Sequence, residues 1–229
     1  MAYIKECMSD DLKFEFPSTI AISGPSNCGK TYWVYKFLKN IRKMGKSTSE
    51  IPTIILYCYS IDQPMFEEIR RYDDHIIFYQ GVPDENYISE MSKGKAMLII
   101  LDDLDDELLD NKDVLKLFTQ GSHHKKLTII FIMHNIFQKG KYARTIALNV
   151  KYMILFANPR DNLQISYLGR QIFPGTNRLR EVFEDATKTQ EWGYLVIDLQ
   201  PKTENDYRLR TNIFPSDIDD TGVIIYVSK

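Results

Sequence analysis

Between positions 24 and 31 the chain reads Gly24-Pro25-Ser26-Asn27-Cys28-Gly29-Lys30-Thr31, which fills every fixed position of the pattern G-x-x-x-x-G-K-[ST]. Residue types at this spacing supply a cradle for a nucleoside triphosphate, with ATP as the expected ligand. Gly24 and Gly29 admit backbone conformations that a side chain would block, so successive N–H groups can turn inward on phosphate oxygens. The start of the following helix adds the positive end of its dipole. The Lys30 ammonium then reaches the β- and γ-phosphates, and the Thr31 hydroxyl becomes a ligand of Mg²⁺. Cys28 sits among these donors, where a helix N-terminus can lower a thiol pKa. The plainer reading, a small residue that fits the turn, is favoured for it.

A phosphate cradle hydrolyses nothing without a metal ligand and a group that positions water. The run Met97-Leu98-Ile99-Ile100-Leu101-Asp102-Asp103 reads as a buried strand ending in two carboxylates, the form of a Walker B element. Asp102 is expected to hold Mg²⁺ through water and Asp103 to polarise the attacking water. Taken alone, Asp102, Asp103, Asp105 and Asp106 would serve equally well as a solvated turn with helix-capping duties; the phosphate loop upstream favours the catalytic reading. A third apolar run, 127–133, ends in His134-Asn135. The Asn135 amide can donate to a γ-phosphate and accept from a water, so it is a candidate sensor. His134 either shares that role or is satisfied by backbone groups. His123 and His124 are neighbours in sequence, converge poorly on one ion and lack a third ligand nearby, so no metal site is expected there.

Phosphoryl transfer is accelerated by an arginine, often supplied by a neighbouring subunit. The candidates are Arg144, Arg160 and Arg170; for each, the alternative is a surface residue with no catalytic role. Arg144 is preferred because the basic stretch 138–144 is expected to be a mobile loop beginning at the active end of the sheet. Lys125, Lys126, Lys139 and Lys141 flank the third run and are either DNA-gripping cations or a solvated face.

The elements that must position these groups follow from the apolar pattern. Strands are expected at 19–22, 53–59, 76–79, 97–101, 127–133, 152–156 and 194–199, and helices at 32–39, 64–71, 112–118, 162–171 and 177–187. Apolar runs without alternation, separated by helices, predict a mainly parallel central sheet flanked by helices on both faces. The fold class is therefore α/β, with the phosphate loop of a P-loop NTPase. The alternating stretch 207–211 predicts an edge strand, and 217–220 an acidic tail. At 229 residues and 44% hydrophobic content the chain can bury one sizeable core, so a single P-loop ATPase domain is expected over 1–229, with its core at about 16–200 and the edge strand and tail over 201–229. A net charge of −2 gives no overall attraction to nucleic acid, so any DNA contact must come from local basic patches. Three cysteines, Cys7, Cys28 and Cys58, at irregular spacing fit a reduced compartment. No early apolar stretch has the form of a signal peptide, and no run approaches the roughly 20 apolar residues of a membrane span. A soluble, intracellular protein without membrane contact is expected.

The phosphate loop, the Asp102-Asp103 strand end, the stretch from Ser122 to Asn135, and the segments 144–149 and 158–161 together resemble the viral DNA-packaging ATPases. The chain is most similar to those of polinton-like and adintovirus-like elements, related to the poxvirus type within the FtsK/HerA superfamily. The resemblance spans roughly residues 16–215. It implies a fold with an additional strand between the two Walker elements. It also implies an ATPase, using ATP and Mg²⁺, that assembles as a homo-oligomeric ring and pumps double-stranded DNA, irrespective of sequence, into a preformed viral capsid. It would act in the host nucleus or a cytoplasmic virus factory, or with the virion. Two positions depart from the superfamily. Asp103 stands where many members have glutamate, and the third strand ends in His134-Asn135 where glutamine is frequent. A P-loop kinase acting on a small molecule and a nucleotide-controlled switch are the competing classes; the phosphate loop fits both, but the separate third strand suits a motor better.

Overall fold

Strands that are apolar on both faces have to be covered on both faces, and among the strands of five or more residues five are buried along their whole length: β2 (Thr19–Ser23), β5 (Met97–Asp102), β6 (Leu127–Met133), β7 (Tyr152–Phe156) and β8 (Tyr194–Asp198). The computed structural model describes residues 2–6, 8–104, 109–121, 126–137, 139–159, 162–188, 190–215 and 222–228. The remaining strands are β1 (Ala2–Glu6), β3 (Ile54–Tyr59), β4 (Ile77–Gln80), β9 (Leu209–Thr211) and β10 (Val223–Val227). All belong to one ten-stranded sheet in the order β1-β10-β9-β8-β7-β2-β6-β5-β3-β4.

From β7 to β4 every pairing is parallel, as expected for the α/β class. β6 pairs with β2 on one side and β5 on the other, so it is the additional strand between the phosphate-loop strand and the acidic strand. From β7 outward the sheet turns antiparallel through β8, β9, β10 and β1. Two expectations are corrected here. The strand read at 194–199 is antiparallel to β7. The strand read at 207–211 is not an edge: β9 lies between β8 and β10, and the edges are β1 and β4. The alternation that suggested an edge came from Arg210, whose side chain is fully buried and forms an ion pair of 3.7 Å with Asp198.

Side-chain parity divides the core. Ile20, Ile22, Leu98, Ile100, Ile130 and Ile132 face the layer formed by α1 (Lys30–Met44) and α2 (Pro64–Tyr72). Ala21, Ile99, Leu101, Ile129, Phe131 and Met133 face the other layer. That second layer holds α3 (Glu85–Ser92), α4 (Lys112–Lys116) with the π-helical turn Leu117–Gly121, and α5 (Ala143–Leu148). Beneath β7 and β8 it continues with α6 (Asn162–Ile172) and α7 (Arg178–Ala186). α1 is anchored by Trp33, which stacks on Phe37 at 5.3 Å and meets Phe14, Tyr194 and Phe214 edge-on. The Asp84 carboxylate caps α3 by accepting from Tyr87 N at 2.8 Å, and Asn111 caps α4.

The basic stretch expected as a mobile loop runs into a helix, with Arg144 in the first turn of α5. Only Ile146 of α5 is buried, too little apolar periodicity for a sequence pattern to register. Cys7, Asp105, Asp106, the segment 122–125 with His123, His124 and Lys125, Gln138, Arg160, Asp161 and the acidic stretch 217–220 lie outside the described residues.

Candidate nucleotide site

The phosphate loop leaves the end of β2 and is tied at once to β6, Gly24 N donating to Met133 O at 3.3 Å. Gly24 is wedged: a Cβ on it would lie 2.7 Å from both Cys28 Sγ and Phe156 Cβ, so any side chain would push the loop off the sheet. At the far end Gly29 has φ +99°, a conformation that costs a non-glycine residue energy, and its missing side chain leaves room for Trp192. Asn27 also adopts a left-handed φ of 61°. The loop then feeds α1, whose first residue is Lys30.

Lys30 is 8% exposed, and its ammonium donates to two carbonyls of its own loop, Gly24 O at 2.7 Å and Pro25 O at 2.8 Å. The cation is thus held over the concavity by acceptors that a phosphate oxygen can replace. Thr31 Oγ1 donates to Gln63 Oε1 at 3.3 Å, which links the loop to the start of α2.

Parity puts the Asp102 carboxylate on the α1 side, the face of Leu98 and Ile100. There it is 3% exposed and accepts from Tyr57 Oη at 2.7 Å. Burial is the main effect on this carboxyl and raises its pKa to about 6, with the Asp103 charge adding to the rise. The Tyr57 hydrogen bond, then Lys30 and His134, pull the other way. A buried acid short of positive charge is the environment that a divalent cation relieves. Asp102 and Thr31 offer hard oxygen donors that fit Mg²⁺.

Asp103 follows the strand with a left-handed φ of 55°. It shares a hydrogen bond of 3.0 Å with His134 Nε2 at the end of β6. The structure therefore brings Ser26, Asn27, Gly29, Lys30, Thr31, Asp102 and Asp103 to one cleft of about 480 Å³, together with His134, Gln63, Tyr32 and Trp192. Asn135 is exposed and lies outside that lining, whereas His134 belongs to it. Arg144 is exposed and lines a separate groove with Leu109, Phe137 and Leu148. Cys28 lies under the loop. Burial outweighs the neighbouring Lys30 and raises its thiol pKa.

Sequence reasoning missed Tyr57, Gln63 and Trp192. Tyr57 had a usable signal: β3 neighbours β5, and a tyrosine on the inward parity of a strand otherwise apolar needs a buried acceptor.

The fold is the α/β P-loop fold, in the form with a strand inserted between the phosphate-loop strand and the acidic strand. The chain is similar in structure to the genome packaging NTPase B204 from Sulfolobus turreted icosahedral virus 2 in complex with ATPγS, with a TM-score of 0.53 and 12% identity over 89% of this chain and 98% of that one. The sulfate complex of the same protein gives a TM-score of 0.56 at 11% identity, covering 85% of this chain and 95% of that one. B204 described as the DNA-packaging ATPase from Sulfolobus turreted icosahedral virus gives 0.53 at 11% identity, over 86% and 98% of the two chains. No family model and no curated protein matches the sequence.

Proposed function

We propose that this chain is an ATPase of the FtsK/HerA type whose hydrolysis cycle drives double-stranded DNA into a preformed viral capsid. One observation carries the reading. Lys30, Asp102 and His134 stand around a single cleft because β6 is inserted between β2 and β5. The packaging NTPase B204, crystallised with ATPγS, shares the fold over almost its whole length.

In this reading Lys30 exchanges the Gly24 and Pro25 carbonyls for β- and γ-phosphate oxygens, and the N–H groups of residues 26–31 complete the cradle. Thr31 and Asp102 would hold Mg²⁺, which when bound supplies the positive charge that neutralises the phosphates. Asp103, oriented by His134, polarises the attacking water, and His134 and Asn135 at the end of β6 respond to the γ-phosphate. Arg144 serves a neighbouring subunit, because it lies in a groove apart from its own chain's cleft. That demands a head-to-tail contact, which closes as a ring. Loss of the γ-phosphate releases the β6 end and moves the lysines flanking it, Lys126, Lys139 and Lys141. Phosphate contacts suffice for a motor that accepts any sequence.

The test is ATP turnover by the assembled protein with and without duplex DNA. The motor reading expects multiple-turnover hydrolysis that DNA stimulates and Lys30→Ala abolishes. Phosphate transfer to a small acceptor by a monomer, indifferent to DNA, would replace it with a kinase.

A further inference from the structure

We infer that Trp192, flanked by Tyr32, is the platform on which the nucleobase stacks, an assignment that rests on the nucleotide reading of the cleft. The chain has two tryptophans. Trp33 is 2% exposed in the core, whereas Trp192 is 47% exposed and lines the cleft. Exposure of one apolar side chain is ordinary, but here two aromatic rings, Trp192 and Tyr32, share the wall of the same cleft. The backbone there carries a cost: Trp192 has φ 57°, the left-handed region that bulky residues avoid. The conformation aims the ring at the loop. Its Cβ and Cγ would lie 2.8 and 2.9 Å from a Cβ on Gly29, so this glycine is required as much by the indole as by its own φ. Tyr32, in the first turn of α1, meets the indole edge-on, with centroids 5.0 Å apart and planes at 64°.

Sheet order fixes which part of a nucleotide this platform can meet. The phosphate loop sits at the end of β2. Asp102 ends β5, two strands to one side, past β6. Trp192 precedes β8, two strands to the other side, past β7, and the antiparallel pairing of Phe156 with Tyr194 puts it at the same end of the sheet as the loop. A triphosphate whose terminal, metal-bearing end points toward Asp102 must leave its sugar and base on the Trp192 side. Every base has a π-face, so stacking here binds purines and pyrimidines without reading them.

The experiment compares binding of a non-hydrolysable ATP analogue with binding of inorganic tripolyphosphate, both with Mg²⁺, by titration calorimetry. The proteins are wild type, Trp192→Phe and Trp192→Gly; glycine suits the left-handed backbone, so the last variant removes the ring without straining the fold. Trp192→Gly is expected to weaken the ATP analogue by roughly 10- to 100-fold, the usual scale for losing one stacked base, and to leave tripolyphosphate within a few-fold. Trp192→Phe should lie close to wild type, and the analogue alone should quench wild-type tryptophan emission. Unchanged analogue affinity in Trp192→Gly overturns the assignment. Equal weakening of both ligands also overturns it, because the ring would then shape the phosphate loop instead. Wild-type protein that binds neither ligand overturns the nucleotide reading itself, and this assignment with it.

Discussion

A carboxyl group buried to 3% exposure keeps its charge only where a cation answers it, and among the described residues Asp102 has no cation as close as its Tyr57 hydroxyl. Its pKa of about 6 in the fold lies above the 3.8 of the exposed group. The protonated form is thus favoured by folding, so the contribution to stability is full below about pH 4 and is lost as the pH rises through about 6. Asp102→Asn, still able to accept from Tyr57, should therefore exceed the nucleotide-free, metal-free wild type at pH 8 by about 3 kcal/mol, with the gap closing near pH 4. Denaturant titrations at the two pH values measure this, and a variant less stable than wild type at pH 8 contradicts it. The same substitution removes a metal ligand and should abolish turnover. Lys30→Ala is expected to lower turnover by at least about 100-fold, the scale of losing one transition-state contact, as read by phosphate release. These two residues were legible because their pattern is local: a fixed loop spacing, and a strand that ends in acid. Tyr57 and Gln63 lie 45 and 32 positions from the partners they bond, and only folding brings them together. From sequence, Asn135 stands first and His134 can share the role, because which way the chain turns after β6 is not encoded locally; His134 is the one that lines the cleft and bonds Asp103.

At the scale of elements, β2 to β9 were legible as strands, β1 and β10 were not, and strand direction was legible only in part. β2, β3, β5, β6 and β7 are apolar runs with helical segments between them, the pattern of parallel crossovers. The antiparallel half carries no equally clear signal. β1 and β10 pair with each other across the length of the chain, from Ala2 opposite Val227 to Glu6 opposite Val223, and no local pattern encodes so distant a partnership. β9 was misplaced because Arg210 reads as an outward residue. It is held inside by Asp198 on the neighbouring strand and by donating to Tyr207 O at 3.1 Å, its guanidinium lying 5.9 Å from the Phe14 ring. A fully buried pair of this kind is costly to break and cheap to replace. Asp198→Ala should destabilise the protein by about 3–5 kcal/mol by stranding Arg210, whereas the double variant Asp198→Leu with Arg210→Met should recover most of that loss. Chemical denaturation of both variants checks it, and a double variant no more stable than the single one contradicts the argument.

For the whole molecule, the sheet divides its labour at β2. The parallel side toward β4 carries the acidic strand end and His134, and the antiparallel side brings Trp192 to the opposite flank of the phosphate loop. Arg144 joins neither flank, which is why a second subunit enters the proposal. Among the described residues no helix is long and apolar enough to cross a membrane. If Arg144 completes a neighbour's cleft, Arg144→Ala and Lys30→Ala should each be inactive alone and should regain a measurable fraction of wild-type turnover when mixed. A mixture as inactive as its components would remove Arg144 from the site. All of this rests on the cleft gripping a triphosphate through Lys30 and Asp102, and a crystal structure grown with Mg²⁺ and saturating non-hydrolysable ATP analogue tests that most directly. The predicted result is Lys30 Nζ on β- and γ-phosphate oxygens, released from Gly24 O and Pro25 O, with the metal between Thr31 and Asp102. A cleft without analogue, and Lys30 still bonded to its own loop, would contradict the account.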